Sequence, residues 1–187
     1  MKVICIQYDQ ADLNKVKTTL DIIFKDSSVS KENFEQVVIV HNAGTLGDNS
    51  KYSRDLDDVE ELSTYFDINL KGVMLLNTSF MKLFTQDKFN HRFMINLSSL
   101  NAIKAFKNFS LYCTSKAARD MYFQVVAEEE PSIRVLNYAP GPCKTDMFNQ
   151  CRTKSVDPEV KQMFQSLAEK GTVLECDTSV QKLIQFL

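Results

Sequence analysis

Tyr112 and Lys116 stand four residues apart in the run Tyr112-Cys-Thr-Ser-Lys116, at the opening of a stretch with helical spacing over residues 111–130. Four residues is about one helical turn, so the phenol and the ammonium share a face, about 6 Å apart along the axis. A tyrosine whose pKa is about 10 exchanges protons poorly at neutral pH, and a nearby positive charge lowers that value by favouring phenolate. Lys116 is placed to supply that charge. Taken alone, Tyr-x-x-x-Lys describes an incidental surface pair equally well. Ser99 adds context. It ends the strand-like run Met94-Ile-Asn-Leu-Ser98-Ser99, where its hydroxyl emerges at the carboxyl edge of a parallel sheet, the edge at which ligands bind. There it could hold a carbonyl oxygen while Tyr112 delivers a proton to it. A turn or helix-capping serine has the same local signature.

Three further segments follow apolar runs. His41-Asn42-Ala43-Gly44 comes after Val37–Val40, with small residues that let a flat ligand approach the backbone, or that make a plain turn. Asn69, in Phe66-Asp-Ile-Asn69-Leu-Lys-Gly72, interrupts an apolar helical pattern, and a buried amide there requires hydrogen-bond partners; a surface asparagine is the alternative. Tyr138-Ala-Pro140-Gly141-Pro142-Cys-Lys-Thr145-Asp146-Met147 places a proline–glycine turn before Thr145, which by itself is only a loop.

The elements that must position these residues alternate. Short β-rich runs at 3–6, 37–41, 93–97 and 133–138 predict buried parallel strands. Helical spacing covers 13–25, 58–85, 111–130, 158–170 and 178–186, with polar loops at 26–33 and 44–54. Such alternation implies βαβ crossovers and an α/β, Rossmann-like, doubly wound parallel sheet with helices on both faces. The 187 residues, 44% hydrophobic, suffice for one domain with one core. A formal charge of −2 gathers neither nucleic acid nor an anionic membrane, so the expected partner is a small molecule or a second copy of the chain. The spacing of five cysteines and two histidines suggests neither a zinc site nor a disulfide framework. With no apolar leader or span in the sequence, the cytoplasm is the expected compartment.

Taken together, the order Asn-Ala-Gly, Asn69, Ser99, Tyr112-x-x-x-Lys116 and Pro140-Gly141-x-x-x-Thr145 resembles the short-chain dehydrogenase/reductase family. Longer strings, among them His41–Asp48, Ser98-Ser99-Leu100, Lys116–Met121, Arg134–Pro142 and Ser155–Pro158, are similar to its pterin-reducing members. The resemblance runs through nearly the whole chain. It implies that NADP(H) delivers hydride to the side-chain ketone of a pterin, toward tetrahydrobiopterin, while Tyr112 protonates the oxygen. Ser99, with Ser98 and Gly141, would position the substrate; Lys116 would bind the nicotinamide ribose; Asn69 would hold a proton-relay water. Asp12 would contact adenine, and Asn42, Ala43 and Gly44 would border the adenosine ribose. Pro140, Gly141, Pro142, Thr145, Asp146 and Met147 would cover the nicotinamide and its phosphates. The resemblance also implies a homodimer through the helices at 58–85 and 111–130. The first of these carries Phe66, Leu70, Val73, Leu76 and Phe80, more apolar surface than one sheet face requires, although ordinary core packing would use the same residues.

The family's Thr-Gly-x-x-x-Gly-x-Gly turn has no counterpart among Gly44, Gly47, Gly72, Gly141 and Gly171. The expectation is therefore a partial domain over 1–187, lacking the first βαβ unit and the last strand, with low stability and little reductase activity as it stands. Another short-chain carbonyl reductase, or a non-catalytic dimerisation partner, are the alternative readings.

Overall fold

The computed structural model describes residues 5–25, 34–87 and 89–186. In chain order these form α1 (Leu13–Lys25), β1 (Gln36–His41), α2 (Val59–Phe66), a π turn (Asp67–Lys71), α3 (Gly72–Leu83), β2 (His91–Leu97), α4 (Ser110–Glu129), β3 (Ile133–Tyr138), α5 (Asp146–Lys154), α6 (Pro158–Glu169) and α7 (Cys176–Ile184). The strands pair in parallel in the order β1-β2-β3, with Val38 opposite Phe93 and Phe93 opposite Arg134. The expected α/β parallel architecture is present. Of the strand expected at 3–6, Val3 and Ile4 lie outside the described residues, and Cys5 and Ile6 carry no strand. The loop expected at 26–33 also lies outside them.

Local chemistry sets the helix starts. The Asp58 carboxylate accepts from the backbone N–H groups of Glu60 and Glu61, 2.9 and 3.0 Å away, and opens α2. Asp157 does the same for α6, with Pro158 at its first helical position. α5 was not expected from the pattern: of its residues Asp146–Lys154, only Phe148 and Cys151 are buried, so it has almost no apolar stripe. Thr145 reveals it, because its hydroxyl accepts from the Phe148 N–H at 3.2 Å.

The main core joins Val73, Phe80 and Phe84 to Met94, Phe123, Val126 and Ile133, so α3 and α4 cover one face of the sheet. β1 alternates as a strand must: Val37 and Ile39 pack onto this core, while Val38 and Val40 are 38% and 48% exposed on the other face. There, among the described residues, α7 meets β3, with the Tyr138 hydroxyl donating to the Ser179 carbonyl at 2.8 Å. Among the described residues, helices thus meet the sheet on both faces, as expected. Val73, Leu76 and Phe80, which suggested a dimer face, are buried in the chain's own packing.

The helix expected over 58–85 is broken by the π turn, whose widened backbone sets the Gly72 N–H on the Asp67 carbonyl. Gln10 docks there, donating from Nε2 to the Ile68 carbonyl at 2.6 Å. Gly72 makes this approach feasible, since a Cβ at that position would fall 2.7 Å from Gln10 Cγ and 2.9 Å from Gln10 O. Gly72→Ala is expected to destabilise the chain by about 1–3 kcal/mol despite the better helix propensity of alanine. A urea midpoint equal to or above the parent's would show that the contact yields freely.

Candidate active site

Strand ends and one helix bring the chemical groups together. Ser99 leaves β2 in an extended conformation, and its hydroxyl accepts from the Asn101 N–H at 3.2 Å and donates to Asn101 Oδ1 at 3.1 Å. The same hydroxyl is near enough to the Tyr112 phenol to favour its ionised form. Ser99 therefore caps a turn and faces the tyrosine as well. Tyr112 lies in the first turn of α4, its ring edge-to-face with Phe109 at 6.2 Å. One turn on, Lys116 Nζ sits 5.4 Å from the Tyr112 ring centroid and donates to the carbonyl of Leu97, the last residue of β2. Lys116 is only 6% exposed.

Burial controls the proton affinities. It pushes the Tyr112 phenol above its ordinary value, against the pull of the Ser99 hydroxyl and of the Arg119 charge. It also pulls Lys116 down to about 7, helped by Arg119 and opposed by Asp120. The expectation that Lys116 lowers the tyrosine is corrected here: desolvation outweighs it, and Lys116 is itself only partly charged near neutrality.

The loop after β1 meets the same end of the sheet. Asn42, Ala43 and Gly44 are exposed, while Asn69 is buried in the π turn beneath them. Asn69 Nδ2 donates to the Tyr65 carbonyl at 3.0 Å, and its Oδ1 accepts from the Thr45 N–H at 2.9 Å. A Cβ on Gly44 would stand 3.1 Å from that oxygen. Arg119, fully buried on α4, donates to the His41 carbonyl at 2.9 Å, the Ala43 carbonyl at 3.3 Å and Asn96 Oδ1 at 2.8 Å. His41, held neutral with a pKa pulled down to about 4 by burial, hydrogen-bonds Asn77 of α3 through Nε2 at 2.6 Å.

A family model described as short chain dehydrogenase matches residues 1–156. The chain belongs to the short-chain dehydrogenase family. It is 44% identical over 156 residues to a sepiapterin reductase of Bos taurus, covering 83% of this chain and 58% of that protein. A sepiapterin reductase of Xenopus tropicalis is 36% identical over 182 residues, covering 97% and 70%. The solved structure of the KRED1-Pglu enzyme aligns with a TM-score of 0.79 at 26% identity, over 95% of this chain and 70% of that one. The chain thus spans about three fifths of the length of the bovine relative.

Of the residues singled out in the sequence, the structure brings Ser99, Tyr112, Lys116, Asn69 and the Asn42–Gly44 loop to one end of the sheet. The loop after β3 emerges at the same carboxyl edge: Gly141 takes φ +80°, Pro142 and Lys144 pair with Leu174, and Thr145 with Asp146 starts α5. Met147 packs with Leu46, Phe109 and Tyr112 in a second apolar cluster that walls the site. Asp12 lies before α1, where it accepts from the Lys15 N–H at 3.2 Å and pairs with the Lys15 ammonium at 3.1 Å. Ser98 is corrected: it turns inward, its hydroxyl donating to Asp120 Oδ2 at 2.7 Å, so it supports the sheet edge and presents no hydroxyl to a substrate. Arg119, Asp120, Asn96 and Tyr65 were missed as site residues. Arg119 was within reach of the sequence, seven residues after Tyr112 and three after Lys116 on the same helical stripe. Among the described residues no cluster of metal-binding side chains occurs, and no helix is long and apolar enough to cross a membrane.

Proposed function

We propose that the protein reduces the side-chain ketone of a pterin with NADP(H), with Ser99, Tyr112 and Lys116 as its proton-transfer group. The observation that carries this reading is the Tyr112 phenol ring 5.4 Å from the ammonium of a buried Lys116, one turn apart on α4, with Ser99 at the end of β2, the carboxyl edge of a parallel sheet. The pterin is supported by the similarity to the bovine and frog sepiapterin reductases. The preference for NADP(H) rests on the resemblance to the family's pterin-reducing members.

The residues present fit the nicotinamide half of such a cofactor. The exposed backbone of 42–44, the missing side chain at Gly44 and the positive φ of Gly141 leave the strand ends open to a flat ring and its ribose. Lys116, Asn42, Ala43 and Gly44 would hold the riboses, Asp12 the adenine, and Pro140–Met147 the nicotinamide side and phosphates. When bound, the cofactor supplies hydride to the carbonyl carbon. The substrate oxygen accepts hydrogen bonds from Ser99 Oγ and the Tyr112 hydroxyl; the Tyr112 O–H bond breaks and its proton passes to that oxygen. Lys116 and Arg119 stabilise the phenolate left behind, and Asn69 keeps the loop and α3 in register while holding a relay water.

The test is NADPH-dependent loss of sepiapterin absorbance, measured for this chain alone and joined behind a glycine-rich first βαβ unit from a relative. Turnover in either form with NADPH favoured over NADH is expected. No turnover of sepiapterin in the joined, folded form would overturn the reading, and turnover of simple diketones alone would transfer it to another carbonyl. We further propose a cytoplasmic homodimer. Met121 and Val125, 59% and 44% exposed on α4, provide an apolar outer face for it. A sedimentation profile showing only monomer at micromolar concentration would remove the dimer.

A further inference from the structure

We infer that Arg119 is a positioning residue for Tyr112: a buried guanidinium, tied to the loop after β1 and to β2, that supplies positive charge on the inward stripe of α4 that carries the phenol. This rests on the reading of Tyr112 as proton donor. The geometry has three parts. Arg119 repeats the face of Tyr112 and Lys116 on α4 at seven and three residues' spacing, so the three side chains form one inward stripe. Its three hydrogen bonds go to neutral acceptors only, two backbone carbonyls and the Asn96 amide oxygen. Among the described residues, no Asp or Glu oxygen comes within 4.0 Å of the guanidinium.

A buried cation is ordinarily paired, because removing it from water is costly. Here the nearest carboxylate on the stripe is committed elsewhere. Asp120 accepts from Asn96 Nδ2 at 2.9 Å and from Ser98 Oγ at 2.7 Å, so the Asn96 amide stands between cation and anion. The charge of Arg119 is left only partly compensated, on the side that holds the loop carbonyls after β1. The groups around Tyr112 are Lys116, Arg119 and Cys113 of α4, Tyr65 of α2 and Cys151 of α5, with Asp120 behind Arg119. Lys116 loses charge near neutrality, and Cys151 and Tyr65, both pushed up by burial, add none there. Arg119, although burial pulls it down to about 10, remains a cation near neutrality. It is also the fixed point of the site, since its fork holds the carbonyls of His41 and Ala43 while Nη1 would lie 3.8 Å from a Cβ on Gly44.

The ionisation of Tyr112 reads this directly and requires no turnover. In the whole chain labelled with fluorotyrosine, the Tyr112 resonance is assigned by its loss in Tyr112→Phe and titrated by fluorine NMR without substrate or cofactor. Arg119→Met and Arg119→Gln are expected to raise its midpoint by about one pH unit, a tenfold weaker acid, whereas Arg119→Lys keeps it within a few tenths. Folded Met and Gln variants that titrate like the parent would overturn the inference. Should neither fold by circular dichroism, Arg119→Lys decides alone: an unmoved midpoint despite the lost fork supports a role through charge, and a full-unit rise refutes it. Failure here would leave the proposed reduction standing on its own assay, and an inactive protein with the predicted titration shifts would fault the reduction and leave the Arg119 charge in place.

Discussion

Tyr112→Phe is expected to lower kcat for carbonyl reduction by about two to four orders of magnitude, the usual contribution of a positioned general acid, with little change in KM. The size follows from what the substitution removes. The phenol hydroxyl lies near Ser99 at the strand end, and the other tyrosine nearby, Tyr65, is turned to Ser115 Oγ at 3.0 Å and is pushed far up by burial. The ring contacts to Phe109 and to the second apolar cluster persist in phenylalanine, so the far-ultraviolet dichroism and urea midpoint stay near the parent's. Ser99→Ala, which removes one hydrogen bond to the same oxygen, costs less. Retention of more than about a tenth of the parent rate by Tyr112→Phe would dismiss the phenol as the acid.

The second large effect is a pH dependence of stability carried by Lys116. In the folded chain its pKa is pulled down to about 7 by burial, whereas in the unfolded chain it titrates near about 10.4. Between these values the unfolded state binds more protons, so stability rises with pH across the window from about 7 to about 10, at up to about 1.4 kcal/mol per pH unit from this one group. Below pH 7 both states are charged and the burial penalty is present in full. Lys116→Met should be more stable than the parent at pH 6, and the difference between the two should shrink steadily toward pH 10. Using the difference cancels the opposing trend of Cys143, Cys151 and Tyr112, whose raised values erode stability at alkaline pH in both proteins. Urea midpoints at a series of pH values measure this. A constant gap between parent and variant from pH 6 to 10 would mean that Lys116 titrates normally and that its amine is solvated.

Much of the frame was legible because it rests on short-range rules. Helix α1 and strand β3 occupy the predicted residues, β1 begins one residue earlier than predicted, and α4 is shifted by one residue at each end, since apolar periodicity and terminal residues act within a few positions. The interruption of the helix over 58–85 was not legible, because a π turn depends on Gln10 docking from a distant segment and on Gly72 leaving room for it. α5 escaped for the opposite reason: its burial is slight, and a single capping threonine announces it.

By itself the sequence determined which groups could do the chemistry, since Ser99, Tyr112 and Lys116 are set by residue type, helical spacing and a strand end, all of which are local. Only the tertiary structure decided how those groups are charged and which neighbours serve them. Ser98 turns inward because alternate strand residues face opposite sides, and Asp120 is there to receive it. Proton affinity depends on burial, on the charges of Arg119 and Asp120 of α4, and on groups brought in from the end of β2 and from α5, a sum over space that no spacing along the chain records. For the same reason Lys116, read as the charge that tunes Tyr112, emerges as a lysine poised near neutrality, with Arg119 on the same stripe as the group still charged there.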